Sequence, residues 1–237
     1  MQQLPLAVGP PDHAVFESFL PGPNAALLHA LQEIARVRSR ALLWLWGPPG
    51  SGRSHLLQAT VAEAAARGDR GACLPLSPDA GLAPEALAGM EALDLVCLDD
   101  LDCVAGDLQW ERALFALYEA LRERSARLVV AATAAPLHLS FGLPDLVSRF
   151  SAAATFRMRP LSDDDKLAAL QLRSAWRGME LPAETAAYLL SRVPRDSRSL
   201  FALLDRLDRA ALAAQKRLTI PFVRRLLAEE PGLSPED

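Results

Sequence analysis

The chain has 237 residues, of which 51% are hydrophobic and 23% charged, the composition of a globular protein with a sizeable core. A net charge of −4 argues against a strongly cationic nucleic-acid surface. No apolar run reaches the roughly 18–20 residues that span a bilayer, and the N-terminus lacks the regions of a signal peptide, so a cytoplasmic protein without membrane contact is expected. The three cysteines form no CxxC pair and are expected to be free, buried thiols.

Strands and helices alternate over the first two thirds of the chain. Proline-rich residues 1–23 are expected to be extended, and apolar residues at helical spacing predict a helix over residues 24–38. Strands are predicted over residues 41–46, 72–76, 95–98, 127–132 and 154–158, and helices from residue 52 and over residues 84–90, 109–124 and 144–150. Strands separated by helices indicate an α/β fold with a parallel five-stranded sheet flanked by helices.

The strand pattern stops at Pro160 and only helices are predicted beyond it. Ser162, followed by three aspartates, is suited to a helix N-terminus because it can cap free N–H groups and the acids favour the positive end of the helix dipole. Breaks are expected near Gly178, Pro194 and residues 219–221. The predicted domains are therefore an extended segment at 1–15, an α/β domain at 16–160 and a small all-α lid at 161–237.

A phosphate-binding loop is predicted between the first strand and the helix that follows it. Residues 47–54 match G-x-x-x-x-G-[K/R]-[ST], and the set is Gly47, Pro48, Pro49, Gly50, Ser51, Gly52, Arg53 and Ser54. The glycines allow backbone N–H groups to surround a phosphate at the positive end of a helix. Ser54 is the candidate Mg²⁺ ligand and Arg53, in place of the usual lysine, the candidate phosphate contact.

Two carboxylates follow the predicted strand at residues 95–98. Asp99 and Asp100 come at the carboxyl end of a parallel strand, which faces the same crevice as the phosphate loop. This is the pattern of a Walker B element, in which Asp99 holds the Mg²⁺ shell and Asp100 stands where a base polarises water. Asp102, Glu111 and Glu119 are expected to be solvated acids.

Two of the 23 arginines are candidates for contacting a bound triphosphate, whose hydrolysis requires positive charge at the transition state. Arg149 lies in a short predicted helix before the last strand. Arg198 lies at the start of a predicted lid helix. Solvated surface arginines are the alternative interpretation for both.

These motifs resemble the AAA+ ATPases and, within them, the DnaA branch. Residues 16–24 are similar to the F-x-x-F-x-x-G-x-N stretch that opens the DnaA nucleotide-binding domain. The resemblance to the Hda family of that branch covers nearly the whole chain. It is carried by residues 52–57, 142–146, 160–163, 165–167 and 218–223, and the last group is quite specific.

The resemblance implies roles that spacing alone does not establish. Arg149 matches the family's arginine finger, which is offered in trans to ATP bound on DnaA, and Arg198 matches the sensor 2 arginine. His55 joins the nucleotide-binding set, whereas Thr133 lies near the sensor 1 position in a stretch that departs from the expected polar residues. Hda-like proteins bind ADP and also carry an arginine in the phosphate loop. ADP or ATP with Mg²⁺ is therefore the expected cofactor, together with weak or no ATPase activity of the chain itself.

The N-terminus resembles a sliding-clamp docking peptide in its residues Gln3, Leu4, Pro5 and Leu6. An extended segment with two leucines suits an apolar pocket. The partners implied are DnaA and the DNA polymerase III sliding clamp (beta subunit), with DNA reached only through the clamp. The chain ends soon after the lid, where DnaA continues into a helix-turn-helix domain. The sequence does not decide whether the chain forms homo-oligomers.

Three functions follow from these observations. The first is a negative regulator of replication initiation that docks on the DNA-loaded clamp and stimulates hydrolysis of DnaA-bound ATP. The second is an enzyme acting on its own ATP, such as a DnaC/IstB-like helicase loader, for which a lysine phosphate loop and a basic surface are expected. The third is a tethering protein whose nucleotide is structural.

Overall fold

The computed structural model describes residues 14–192, 197–214 and 218–228, with side chains left out at 197–198, 212–214 and 228. The chain divides into two compact units near residue 160. One contains the described residues up to 16 and residues 23–159. The other contains residues 17–22 and the described part of the chain from residue 160 onward. The domain limits predicted above stay predictions.

The first unit is built on a parallel five-stranded sheet, as predicted. Its strands are β1 (Ala41–Trp46), β2 (Gly71–Pro75), β3 (Leu95–Asp99), β4 (Arg127–Ala132) and β5 (Ala154–Arg157). They lie in the order β2-β3-β4-β1-β5, and each adjacent pair is parallel. Since β4 lies between β1 and β3, the segments that follow these three strands share one edge of the sheet.

Four α-helices belong to this unit: α1 (Ala25–Arg36), α2 (Arg53–Ala66), α3 (Leu108–Glu123) and α4 (Pro144–Ser151). Helix α3 begins where it does because the Asp107 carboxylate accepts from the N–H groups of Gln109 and Trp110, which would otherwise lack acceptors. The apolar residues of α3 occupy one face, which is buried.

Strands β3 and β4 are buried along their whole length, because helices cover both faces of a parallel sheet. An aromatic cluster packs on one side, with Phe150 fully buried and its ring 5.3 Å from that of Trp44 and 5.9 Å from that of Phe141. The indole N–H of Trp44 donates to the Ala134 carbonyl at 2.9 Å, so burial leaves this polar group satisfied.

Several local predictions need correction. Residues 84–90 do not form one helix, because the backbone makes short 3-10 helices at Pro84–Leu87 and Met90–Ala92, separated by Gly89 at a φ of 87°, which ordinary side chains disfavour. Residues 14–23 are not wholly extended, since Phe16–Ser18 is a 3-10 helix. Cys97 is buried as expected, but Cys103 is exposed.

The described residues of the second unit form four α-helices: α5 (Asp163–Trp176), α6 (Ala183–Arg192), α7 (Ser197–Ala214) and α8 (Ile220–Ala228). The predicted capping role of Ser162 is confirmed, because its hydroxyl accepts from the Asp165 N–H while the Asp165 carboxylate accepts from the Ser162 N–H. Gly178, at a φ of 72°, lies between α5 and α6, whereas the break expected near Pro194 lies outside the described residues. Leucines of α5, α6 and α7, together with Phe222 and Val223 of α8, form the core of this unit.

None of the helices in the described ranges is long and apolar enough to cross a membrane.

Candidate functional site

The phosphate loop connects β1 to α2 and packs closely on the segment after β5. The Gly47 N–H donates to the Ala132 carbonyl at 3.2 Å. A Cβ at Gly47 would lie 2.9 Å from the Met158 Cβ, so only glycine fits without displacing its neighbour. Gly50 and Gly52 have φ values of 76° and 95°, in the left-handed region that disfavours other residues. These three glycines give the loop its path.

Helix α2 begins directly after the loop, at Arg53. Its first N–H groups have no acceptors within the helix, since the earliest helical bond runs from the Leu56 N–H to the Gly52 carbonyl at 3.0 Å. Ser54 lies exposed in this first turn. A helix N-terminus preceded by a glycine loop is suited to bind an anion.

Asp99 is the last residue of β3 and is only 5% exposed. Burial raises the pKa of its carboxyl group above the ordinary value, while hydrogen bonds from the Ser54 hydroxyl and the Asp100 N–H act in the opposite direction. The Asp100 N–H donates to the Asp99 Oδ1 at 3.0 Å. The structure thus brings together Ser54 and Asp99, the two residues predicted to hold Mg²⁺.

Arg53 and Asp100 form an ion pair, with Arg53 Nη2 at 3.1 Å from Asp100 Oδ1. Arg53 is 7% exposed and the Asp100 side chain 29%. The Asp100 backbone is left-handed, with a φ of 52°, which is uncommon for a residue with a side chain and is enriched at functional sites. Arg53 Nη1 is buried and has no hydrogen-bond partner among the described residues.

These residues fit a nucleotide diphosphate with a divalent cation. The unpartnered Nη1 of Arg53 can donate to a phosphate oxygen, and the N-terminus of α2 adds its partial positive charge. A hydroxyl and a carboxylate oxygen, as in Ser54 and Asp99, are ligands of the kind that Mg²⁺ takes together with phosphate oxygens.

His55 directly follows the loop in sequence, and Thr133 follows β4, the strand next to β1. One ring nitrogen of His55, Nε2, is 3.1 Å from the Val15 carbonyl, which links residues 14–16 to the start of α2. Thr133 follows β4, and its N–H and hydroxyl donate to the Asp102 carboxylate at 2.9 and 2.8 Å. Asp102 is therefore not simply solvated, and it engages the residue nearest the expected sensor 1 position.

Glu111 is fully buried, so its prediction as a solvated acid is wrong. Its carboxylate accepts from three backbone N–H groups, those of Gly106 at 2.8 Å, Gly142 at 2.9 Å and Leu143 at 2.7 Å. The sequence carried a signal for this, because Glu111 lies in helical phase with the buried Leu114 and Leu121.

Glu119 is also not a free solvated acid, because it forms ion pairs with two arginines. Its Oε1 is 2.9 Å from Arg149 Nε and its Oε2 is 2.5 Å from Arg122 Nη2. Arg149 lies on α4 and its side chain is 43% exposed. The structure thus places the predicted arginine finger on a surface helix, where Glu119 is its ion-pair partner among the described residues.

Two other predicted sites fall beyond what the structure describes. Arg198 belongs to the first turn of α7, but its side chain is outside the described part. Residues Gln3, Leu4, Pro5 and Leu6 also lie outside the described residues.

Comparison with known proteins gives a family match in the second unit. Residues 163–227 match the family model described as the Hda lid domain. These residues include most of helices α5 to α8.

Solved structures resemble the whole fold. Domain III of the replication initiation protein DnaA from Thermotoga maritima has a TM-score of 0.78 and 22% sequence identity, covering 96% of this chain and 100% of that chain. AMPPCP-bound DnaA from Aquifex aeolicus has a TM-score of 0.66 and 22% identity, covering 80% of this chain and 63% of that one. The RuvB Holliday junction branch migration motor from Thermotoga maritima has a TM-score of 0.58 and 17% identity, covering 86% and 66%.

At these identities the solved structures establish the fold, and the match spans under two thirds of the Aquifex aeolicus chain. The fold is that of an AAA+ module with a helical lid, and the lid itself matches a specific family. Both agree with the family resemblance in the sequence. Residues 163–227 are thus similar to the Hda lid domain, and the fold is similar to that of DnaA domain III.

Proposed function

We propose that this protein is a nucleotide-bound negative regulator of replication initiation, which stimulates hydrolysis of ATP bound to DnaA by supplying Arg149 in trans. The observation that carries the proposal is the match of residues 163–227 to the Hda lid domain, on a chain whose fold resembles DnaA domain III. The first unit supplies a nucleotide cradle and an exposed arginine, which are the two features that this function requires.

The cradle binds ADP or ATP through the loop at 47–54 and the first turn of α2. Backbone N–H groups and Arg53 Nη1 donate to phosphate oxygens, while Ser54 and Asp99 hold the Mg²⁺ shell. His55 and Arg198 complete the proposed binding set. Ionised Asp99 is favoured once Mg²⁺ is present, because a divalent cation offsets the burial that raises the pKa of this carboxyl group.

The chain itself is proposed to hydrolyse ATP weakly or not at all. Asp100, at the position of the water-polarising base, is paired with Arg53 at 3.1 Å. That contact occupies the carboxylate oxygen Oδ1, which a base would need in order to accept a hydrogen bond from the attacking water. The bound nucleotide then acts as a structural switch rather than as a substrate.

Arg149 acts on the nucleotide of the partner protein. Its side chain is 43% exposed, as a group offered to another molecule must be, and α4 is anchored by the buried Leu146 and Phe150. A guanidinium placed against the transferring phosphate stabilises charge that develops only in the transition state. Docking on the sliding clamp through Gln3, Leu4, Pro5 and Leu6 brings the protein to DNA.

The test is conversion of ATP-loaded DnaA to its ADP form by the full chain, with and without clamp loaded on DNA. We expect clamp-dependent conversion that falls about 10³-fold or more in Arg149→Ala, the range by which trans arginines accelerate hydrolysis. The double variant Leu4→Ala/Leu6→Ala should lose the clamp dependence. Arg124→Ala, which removes another surface arginine of the same unit, serves as the matched control and should behave like the wild type.

Conversion that is indifferent to Arg149→Ala and to the Leu4/Leu6 changes would refute this function. Rapid ATP turnover by the isolated chain, stimulated by single-stranded DNA, would favour an enzyme acting on its own ATP.

A further inference from the structure

Helix α4, which carries Arg149, is tied at its beginning to α3. The Glu111 carboxylate accepts from the N–H groups of Gly142 and Leu143, the two residues that lead into α4. The same carboxylate accepts from Gly106, just before α3. Since Glu111 is fully buried, these bonds are shielded from water, and a buried carboxylate without them would be strongly disfavoured.

The loops held by Glu111 approach each other so closely that small residues are needed. A Cβ at Gly142 would lie 3.0 Å from Leu108 Cδ2. Gly106 has a φ of 93°, and a Cβ there would lie 3.4 Å from the Ser140 carbonyl. The loop before α3 and the loop before α4 therefore form one tight joint around a single carboxylate.

The C-terminal end of α4 also contacts α3. Glu119, two turns after Glu111 on α3, contacts Arg149 in the last turn of α4 at 2.9 Å. The contact is made on Nε, the nitrogen nearest the chain. The two atoms form an ion pair without hydrogen-bond geometry, so Glu119 holds the base of the guanidinium against α3 by charge. The terminal nitrogens of the guanidinium carry the remaining donors and can meet an incoming phosphate.

We infer that Glu111 and Glu119 are positioning residues for Arg149: Glu111 sets the start of the helix that carries it, and Glu119 holds its guanidinium in place before DnaA arrives. This inference rests on the proposed function, in which Arg149 acts in trans. Arginine is long and has many rotamers, so a free Arg149 loses conformational freedom each time it meets a phosphate. An intramolecular anchor removes part of that loss in advance.

Orientation has a kinetic signature that distinguishes it from general stability. If Glu119 positions a guanidinium that acts in the transition state, losing Glu119 lowers the maximal stimulated rate. The half-saturating concentration of this protein then stays nearly unchanged. Because the Glu119 pair is partly exposed, the effect is modest. For Glu119→Gln we expect the maximal rate of DnaA-ATP conversion to fall about 3–10-fold, with the half-saturating concentration within about 2-fold of wild type.

Arg122 provides the matched control, since it pairs with the other oxygen of Glu119. Arg122→Ala removes a cation from Glu119 and leaves its contact with Arg149, so the maximal rate should stay within about 2-fold of wild type.

Glu111→Gln puts an amide NH₂ against backbone N–H donors and is expected to lower the thermal midpoint as well as the rate. Glu119→Gln, at a partly exposed position, carries the decisive comparison.

The outcomes separate the two proposals. Full conversion by Arg149→Ala would overturn the proposed function and, with it, this inference. Loss of conversion in Arg149→Ala, combined with a Glu119→Gln maximal rate equal to or above that of the wild type, would overturn the positioning role alone. A Glu119→Gln variant whose thermal midpoint falls in step with its rate, with a raised half-saturating concentration, would show a structural role and would also overturn it.

Discussion

At the residue scale, Asp99 is a proposed Mg²⁺ ligand whose burial is expected to lower the stability of the fold. The side chain is 5% exposed, and burial is the largest cause of its raised pKa. A carboxyl group whose pKa is higher in the folded state than in the unfolded state binds protons more readily when folded. Its ionised form therefore destabilises the fold at pH values above the raised pKa. This destabilisation disappears as the pH falls toward the pKa that the group has in the unfolded chain.

Replacing Asp99 by asparagine removes this buried charge and should therefore stabilise the nucleotide-free protein at neutral pH. The expected gain is roughly 0.5–2 kcal/mol, the usual range for a single stabilising substitution. The gain should shrink as the pH is lowered toward about 4, where the unfolded carboxyl group is protonated. Urea unfolding of wild type and Asp99→Asn at several pH values measures it. Calorimetry should show that Mg²⁺ no longer strengthens nucleotide binding. A variant less stable than the wild type at pH 7 would contradict this account.

At the scale of elements, Arg127 connects four segments through one buried side chain. It is the first residue of β4 and 1% exposed. Its guanidinium donates to the Ile34 carbonyl at 2.9 Å and the Asp94 carbonyl at 3.1 Å, and forms an ion pair with Asp69 at 2.6 Å. These contacts link the end of α1 and the loops before β2 and β3 to the central strand.

Arg127→Leu should lower the free energy of unfolding by about 3–5 kcal/mol, because it leaves a buried carboxylate with one cation fewer and several carbonyls without donors. Arg38 also pairs with Asp69, at 3.0 Å, but its side chain is 74% exposed. Arg38→Ala should therefore cost less than about 1 kcal/mol. Denaturant titrations of the two variants measure both free energies of unfolding. Equal losses of that free energy would show that burial does not set the strength of this network.

At the scale of the whole molecule, the proposed nucleotide binding should be coupled to stability. A ligand that binds only the folded state adds stability in proportion to the logarithm of its concentration relative to Kd. The buried Arg53 Nη1 has no hydrogen-bond partner among the described residues, and a bound phosphate would supply one. A folded protein with nucleotide is thus expected to be more stable than the same protein without it.

ADP with Mg²⁺ at about 100 times Kd should add roughly 2.7 kcal/mol and raise the thermal midpoint accordingly. Differential scanning calorimetry over a series of ADP concentrations tests this, with Asp99→Asn as the variant expected to respond less to Mg²⁺. A midpoint that moves with neither ADP nor ATP would remove the nucleotide-binding proposal.

The sequence by itself determined the order of the five strands and, apart from residues 84–90, of the helices between them, together with the glycine loop after β1, the acidic end of β3 and the helix cap at Ser162. Each of these is a local pattern in which neighbours along the chain carry the whole signal. Family resemblance in the lid was likewise readable from residues alone, and the match of residues 163–227 confirms it.

Only the tertiary structure decided which charged groups meet. The pairs Arg53–Asp100, Glu119–Arg149 and Asp102–Thr133 join residues 30 to 47 positions apart, and the burial of Glu111 depends on a loop about 30 residues further along the chain. The sequence around a charged residue does not indicate which residue it will pair with, because the partner is set by the elements that pack against it in the fold. Short patterns along the chain set the elements, and long-range packing sets the electrostatics of the site.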